Sequence, residues 1–324
     1  MRLVYYGTPA LAVPPLQRLV KDGRAPRLVV TQRDRPKGRG LKTGASPVRA
    51  AADSLALTVV TPARAGAPEE LDRLRAVEPD LIVLVAYGQI LPRELLEIPR
   101  LGALNVHFSL LPRHRGASPI QAALLAGDRE TGVTSMWMTE GLDEGPTFLA
   151  LSTPIGEEED AGELGARLAA LGAQCLAMSL DRIERGDTTR TAQDSSRATY
   201  APKIPPGAGR LSLELPAEEA VRRVRALTPE PGAYFELSRG RLLVTAAAPG
   251  GMGNSPLHAS APAVAPGDVL AVDSAQGLEI ALSRGSLWLR RVRPSGRSGM
   301  SGSEYANGAR LKPGDRLSLL PGAP

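Results

Sequence analysis

Through the first half of the chain, short runs of consecutive apolar residues alternate with amphipathic stretches. LVYY (3–6), RLVVT (27–31), LTVV (57–60) and LIVLVA (81–86) read as strands buried on both faces. Between them, segments 14–20, 46–55 and 68–77 place apolar residues at helical spacing. Such alternation predicts βαβ units, hence a parallel sheet covered by helices on both sides. The first run ends at Gly7, where Thr8 reads as an N-cap and Pro9 as a first-turn proline, so a helix is expected to begin there. The glycine fingerprint of a dinucleotide site does not follow. A ligand crevice is still expected beyond the carboxyl ends of the strands.

After Gly132, two more apolar runs (VTSMWM and TFLALSTPI) lead to an acidic EEED at 157–160 and a long helix expected over 161–185. From 187 to 209 the composition shifts to Thr, Arg, Pro and Gly and ends in IPPG, which reads as a linker. Beyond it lie one helix candidate (217–227) and six short runs broken by Gly and Pro: GAYFEL, GRLLVTAA, GDVLAVD, GLEIAL, GSLWLRRV and GDRLSLL. This pattern suggests a small closed or half-closed barrel. The stretch 248–266, rich in Pro, Gly, Ala and Ser, is expected to be a long loop. The expected fold class is therefore α/β. It comprises an N-terminal doubly wound, Rossmann-like parallel sheet (1–188), a linker (189–208) and a C-terminal OB-like β-barrel (209–324).

Composition narrows the chemistry. Aromatic residues make up only 3% of the 324, so the cores must be built from Val, Leu, Ile and Ala. The one cysteine, Cys175, rules out a disulfide framework or a thiolate metal cluster and fits a reducing cytoplasm. With only His107, His114 and His258, a three-His metal site is not expected either. No run of 18 apolar residues is present, so no membrane span is expected, and the opening MRLVYYGTPA has no signal-peptide core. The formal net charge of +5 is unevenly spread. Between positions 33 and 49, Arg33, Arg35, Lys37, Arg39, Lys42 and Arg49 face a single acid, Asp34, and from 209 onward 14 Lys and Arg outnumber 10 Asp and Glu. Such clustering points to a polyanionic partner.

The candidate chemistry lies between 105 and 143. Asn105 and His107 stand two apart at what reads as a strand end, the turn SLLP (109–112) and an RGASP segment follow, and Asp143 sits in a GLD turn. Taken singly, each has an ordinary structural role: Asn as a cap, His as a hydrogen-bonded core residue, Asp as a turn residue. Together, an amide donor, an imidazole and a carboxylate suit acyl transfer, in which an oxyanion must be stabilised and a proton moved.

LVYYGTPALAVPPL, VVTQRDRPKGRG, LVAYGQILP, NVHFSLLPRHRGASPIQAALLAGDRETGVT and GLDEGP together resemble the methionyl-tRNA formyltransferases of the folate-dependent N-formyltransferase family. The resemblance runs from the first residue to about 206 and continues more weakly through RALTPEPGAYF and LKPGDRL. It implies transfer of a formyl group from 10-formyltetrahydrofolate to the α-amine of methionine on initiator tRNA, with no metal, by a monomer. It also implies catalytic roles for Asn105, His107 and Asp143. The folate site would comprise Ser109, Leu110, Leu111 and Pro112 with Val85, Ala86, Tyr87, Gly88 and Ile90. For tRNA, the resemblance points to the basic loop with Arg33, Arg35, Lys37, Arg39 and Lys42; Arg284, Arg290, Arg291, Arg293 and Arg297 of the barrel are further candidates. The chain departs from the family pattern at Phe108, where a small residue is usual, at His114, where Trp or Tyr is common, and at Glu230, where a Trp is usual. It also has LSLE where an IDW segment is usual. An alternative acceptor within the same chemistry is an amino sugar nucleotide or another small amine.

Overall fold

The computed structural model describes residues 1–37, 42–251 and 264–320, and only the backbone at 35–37 and 42–43. Two compact units are present. The first comprises Met1–Ile120, Arg129–Ile155 and Leu164–Lys203, and the second Gln121–Asp128, Gly156–Glu163 and Ile204–Pro324.

The first unit is built on β1 (Leu3–Gly7), β2 (Leu28–Val30), β5 (Val59–Val60), β6 (Leu81–Val85), β7 (Ala103–His107), β9 (Glu130–Trp137) and β10 (Thr147–Pro154). They form one sheet in the order β10-β9-β7-β6-β1-β2-β5. The five strands from β7 to β5 run parallel, while β9 pairs antiparallel with both β7 and β10. Every residue of β1, β6 and β7 is buried, as expected of central strands with both faces covered. The order reverses between β1 and β6, so the ends of these strands, at Gly7 and Val85, flank the crevice where open α/β sheets bind ligands.

Helices α1 (Val13–Lys21), α2 (Pro47–Ser54), α3 (Pro68–Val77) and α4 (Arg93–Leu96) connect the parallel strands. Their starts follow local chemistry. Ser46 caps α2 by accepting a hydrogen bond from the Arg49 amide at 3.0 Å, and Pro47 and Pro68 take first-turn positions where no amide is needed. The expected start at Thr8 is not found. A 3-10 turn over Ala10–Ala12 comes first and α1 begins at Val13, because the Thr8 hydroxyl instead donates to the Tyr87 carbonyl at 2.9 Å. The basic loop contains two short antiparallel strands, β3 (Arg35–Lys37) and β4 (Lys42–Gly44), with Lys37 opposite Lys42. The expected strand at 57–60 is reduced to Val59 and Val60. A two-stranded pair of β8 (Arg115–Gly116) and β11 (Tyr200–Ala201) lies outside the main sheet. Helix α5 spans Pro119–Ala126 and the long α6 spans Ala161–Glu184.

In the second unit, β12 (Ala233–Leu237), β13 (Gly240–Pro249), β14 (Val269–Asp273), β15 (Gly277–Ala281), β16 (Ser286–Pro294) and β17 (Met300–Ser301) form an antiparallel sheet. Its path is β12-β13-β16-β15-β14, with β17 on β16. The expected sixth strand, GDRLSLL, does not form. In its place Arg316 bridges Asp268, beside β14, and Leu319 bridges Leu237 on β12. One short segment thus touches both edges of the sheet and closes it, so neither edge supplies a full ladder. Phe235, Val244, Leu278, Leu287 and Val292 fill the interior. Helix α7 (Ala217–Leu227) packs its buried face, including Ala220 and Val224, into this core. A further helix, α8 (Gly302–Ala309), starts with a reciprocal capping box between Ser301 and Glu304.

Candidate active site

β7 carries ALNVH. Side chains two apart on a strand share a face, so Asn105 and His107 project together. Both residues are 5% exposed. The third side chain arrives from the loop between β9 and β10, where Asp143 adopts φ 51°, in the left-handed region that Asp tolerates better than most residues. Its Oδ2 accepts the Gly116 amide at 2.8 Å and lies 3.6 Å from His107 Nδ1, and its Oδ1 is 3.4 Å from Asn105 Nδ2. The three residues singled out in the sequence therefore converge on one carboxylate.

The imidazole is held from its other side. His107 Nε2 lies 3.0 Å from the carbonyl of His114. A carbonyl only accepts, so this contact places a proton on Nε2 and leaves Nδ1 facing Asp143. The carbonyl is presented by His114 at φ 59°, whose amide donates to Thr199 Oγ1 at 2.8 Å. The next glycine has little freedom. Gly116 has φ +127°, and a Cβ there would sit 2.5 Å from the Ala201 carbonyl oxygen.

The turn 109–112 is braced by Thr134 on β9, whose Oγ1 donates to the Ser109 carbonyl at 2.7 Å and accepts the Leu111 amide at 3.2 Å. Ser109 Oγ donates to the Arg113 carbonyl at 2.6 Å. Much of the turn's polarity is thus satisfied internally, while the half-buried Leu110, Leu111 and Pro112 give it an apolar surface. The residues after β6 divide differently from the sequence expectation. Val85 and Tyr87 are core side chains, and the Tyr87 ring packs edge-on against Tyr6 at 5.1 Å. Ala86 and Gly88 both have positive φ, and Ile90 stands 86% exposed. Ala86 is half-buried and Gly88 exposed, so the turn after β6 reaches solvent there, while the Val85 and Tyr87 side chains point into the core. The Tyr87 carbonyl is already taken by Thr8 Oγ1 and Gln32 Nε2, which tie together the loops after β1, β2 and β6.

Of the basic residues, Arg33 is exposed. Arg35, Lys37 and Lys42 lie on β3 and β4, with side chains outside the described residues, and Arg39 lies wholly outside them. In the second unit, Arg284, Arg291, Arg293 and Arg297 are exposed, whereas Arg290 pairs with Glu158 at 2.6 Å. Sequence reasoning missed Gly116, Thr134, Thr199 and Gln193, which fix the site without carrying its chemistry. Gly116 and Thr134 lay within the segment 105–134 already singled out, whereas Gln193 and Thr199 lie in the stretch read as a linker.

A formyl transferase family model matches residues 2–180, and a formyl transferase C-terminal domain model matches residues 203–310. A methionyl-tRNA formyltransferase from Halorhodospira halophila is 46% identical over 314 residues, which cover 97% of this chain and 98% of the relative. The chain belongs to the methionyl-tRNA formyltransferase family. Another such enzyme, from Symbiobacterium thermophilum, is 42% identical over 98% of this chain and 95% of its own. Among solved structures, an N-formyltransferase from Helicobacter canadensis in complex with folinic acid and dTDP-3-aminofucose superposes with a TM-score of 0.64. It shares 16% identity over 89% of this chain and 98% of its own. HypX from Aquifex aeolicus in complex with tetrahydrofolic acid gives a TM-score of 0.63 at 18% identity, over 97% of this chain and 48% of HypX. At these identities the shared property is the fold. In this formyltransferase, no group of three or more His, Cys, Asp or Glu side chains suited to a metal ion occurs among the described residues.

Proposed function

We propose that the chain transfers the formyl group of 10-formyltetrahydrofolate to the α-amino group of methionine on initiator tRNA. The observation that carries this reading is the 46% identity to a methionyl-tRNA formyltransferase over nearly the whole of both chains. The meeting of Asn105, His107 and Asp143 at the end of β7 supports it.

In this reading the amine nitrogen bonds to the formyl carbon, the bond from that carbon to the folate nitrogen breaks, and one proton passes from the amine to the leaving nitrogen. Asn105 supplies a neutral N–H to the oxygen that gains charge. Its contact to Asp143 is long at 3.4 Å, so the amide is free to turn toward a ligand. His107, with a proton already on Nε2, receives the amine's proton at Nδ1 and returns it to the leaving nitrogen. Asp143 stabilises the imidazolium during that interval, and the Gly116 amide keeps its carboxylate in place. The apolar turn 109–112 and the backbone of 85–88 seat the folate ring system, with Ile90 covering it from the solvent side.

The basic hairpin, with Arg33, Arg35, Lys37, Arg39 and Lys42, meets the acceptor end of the tRNA. These five basic residues, with the nearby Asp34 already paired to Arg49, repel one another unless phosphates neutralise them. The exposed Arg284, Arg291, Arg293 and Arg297 hold the RNA backbone elsewhere. Residues 1–188 carry the chemistry and 209–324 the second RNA contact, with 189–208 between them.

The test is transfer of labelled formyl from 10-formyltetrahydrofolate to methionyl initiator tRNA, with methionyl elongator tRNA and a nucleotide-linked amino sugar as competing acceptors. Transfer to the initiator alone, lost in Asn105→Ala, His107→Ala and Asp143→Ala, is expected. Transfer to the amino sugar but not to tRNA would overturn the acceptor assignment and leave the chemistry intact.

A further inference from the structure

Asp143 is the one member of the site borne on an irregular loop, and it stands there at φ 51°, in the left-handed region that residues other than glycine adopt only at a cost. One side-chain amide bridges two carbonyls of that loop. Gln193 Nε2 donates to the Asp143 carbonyl at 2.8 Å and to the Gly145 carbonyl at 2.7 Å. Its Oε1 accepts from Arg115 Nε at 3.0 Å and Nη2 at 2.9 Å. A guanidinium has donors only, so the amide has one orientation, oxygen toward Arg115 and nitrogen toward the carbonyls. Arg115 is 3% exposed, and its neighbour Gly116 donates to the carboxylate itself. Backbone and side chain of Asp143 are therefore gripped from the same two-residue strand, directly through Gly116 and indirectly through Arg115 and Gln193. Gly145 completes the fit, because a Cβ there would lie 1.9 Å from the Trp137 carbonyl oxygen.

Gln193 is delivered by a strap laid against β9 and β10. Trp137 Nε1 donates to the Thr189 carbonyl at 3.0 Å, and the Arg190 guanidinium lies 4.4 Å from the Trp137 ring centre. Thr191 exchanges two backbone hydrogen bonds with Thr147, at 2.8 and 3.0 Å.

We propose that Gln193 is a positioning residue for formyl transfer: by clamping the carbonyls of Asp143 and Gly145, it keeps the Asp143 carboxylate facing His107 Nδ1. The inference rests on the assignment of Asp143 to the chemistry. Without the clamp the loop relaxes, and displacing a reacting group by roughly 1 Å costs on the order of a hundredfold in rate.

The experiment compares kcat and KM for wild type, Gln193→Leu, Gln193→Glu, Asp143→Asn and the Gln193→Leu, Asp143→Asn pair, with thermal unfolding of each. Gln193→Glu keeps an acceptor for Arg115 and so preserves the fold, but has no N–H for the two carbonyls. Both Gln193 variants should lose kcat, by up to about a hundredfold, with KM for either substrate unchanged. In the Asp143→Asn background, Gln193→Leu should add little, because it acts through that carboxylate. Wild-type kcat in Gln193→Leu or Gln193→Glu, beside an impaired Asp143→Asn, would overturn the clamp and leave the site reading standing. A full additive loss in the double variant would also overturn it, because Gln193 would then act elsewhere. Wild-type kcat in Asp143→Asn would overturn the assignment of Asp143 itself, and the inference with it.

Discussion

Replacing Asp143 by Asn keeps the side chain's size and removes its charge, and its cost follows from the distances around it. Oδ2 lies 3.6 Å from His107 Nδ1, and the two side chains are 13% and 6% exposed, so solvent screens the pair little. At an effective dielectric constant of about 20, a unit charge pair at that separation interacts by roughly 4–5 kcal/mol. This bounds what the carboxylate contributes once His107 has accepted a proton, and corresponds to about a thousandfold in rate. Hydrogen bonding adds to the penalty. If the oxygen of the substituted side chain faces the Gly116 amide, its NH2 must face the Asn105 NH2, donor against donor; the opposite orientation sets its NH2 against the Gly116 amide. The assay is single-turnover transfer of labelled formyl to methionyl initiator tRNA at neutral pH, which isolates the chemical step from product release. The expected result is a fall in the transfer rate approaching a thousandfold with substrate affinity retained. A fall of less than about tenfold would refute the pairing of His107 with Asp143 as the source of rate, because under about 1.4 kcal/mol would then be at stake.

Three other outcomes are expected. Gly116→Ala should lower the urea midpoint by an amount equivalent to more than about 2 kcal/mol, because φ +127° excludes a side chain and the new Cβ would meet a carbonyl oxygen at 2.5 Å; an unchanged midpoint would show that the β8–β11 pair shifts freely. Cys175 is buried, and desolvation raises its thiol above the ordinary value, so iodoacetamide at pH 8 should label it only after denaturation; labelling of the native protein would contradict the packing under β9 and β10. Asp187 is held down to about 2, first by the Thr189 hydroxyl, then by the Thr189 amide and by Arg182. A depressed carboxylate stabilises the fold above its unfolded value near ~3.9, and the gain disappears as pH falls through the folded value. The difference in melting temperature between wild type and Asp187→Ala should therefore be full at pH 6 and close as pH falls from about 4 toward 2. A difference independent of pH would show that Asp187 acts by shape alone.

Where an element is set by local chemistry, the sequence already showed it. LVYY and LIVLVA announce central strands, and Pro68 with Glu69 and Glu70 announces a helix start that the structure places at Pro68. The exceptions are decided by distant partners. Thr8 looks like a cap, but its hydroxyl is taken by a carbonyl 79 residues away. GDRLSLL alternates like a strand, yet its residues bridge two different edges. Helix α8 has little apolar periodicity, and its one local sign was the S-x-x-E capping box at Ser301 and Glu304. At the site, the two-residue spacing of Asn105 and His107 was readable as one strand face. Asp143 was found through the family resemblance, since an Asp before Glu-Gly in a turn has no distinguishing local mark. Nothing in the composition of 187–209 singled out Gln193, because its partners lie 48, 50 and 78 residues away.

The division of the site between a strand and a loop explains why its support is so unequal. Asn105 and His107 sit on a strand paired on both sides, with Asn105 opposite Leu84 and Met136 and His107 opposite Thr134. Their separation is set by the ladder, and no further contact is needed to keep them on one face. Asp143 has no ladder. It stands on a turn whose conformation is costly, and its position is the sum of a few hydrogen bonds from Gly116 and Gln193. Of these, Gly116 is held by its close approach to Ala201, and Gln193 by Arg115 and by the strap across Trp137. The carboxylate is thus placed by Gly116 and, through Gln193, by the segment 189–201. Substitutions there should impair the reaction while leaving the sheet intact.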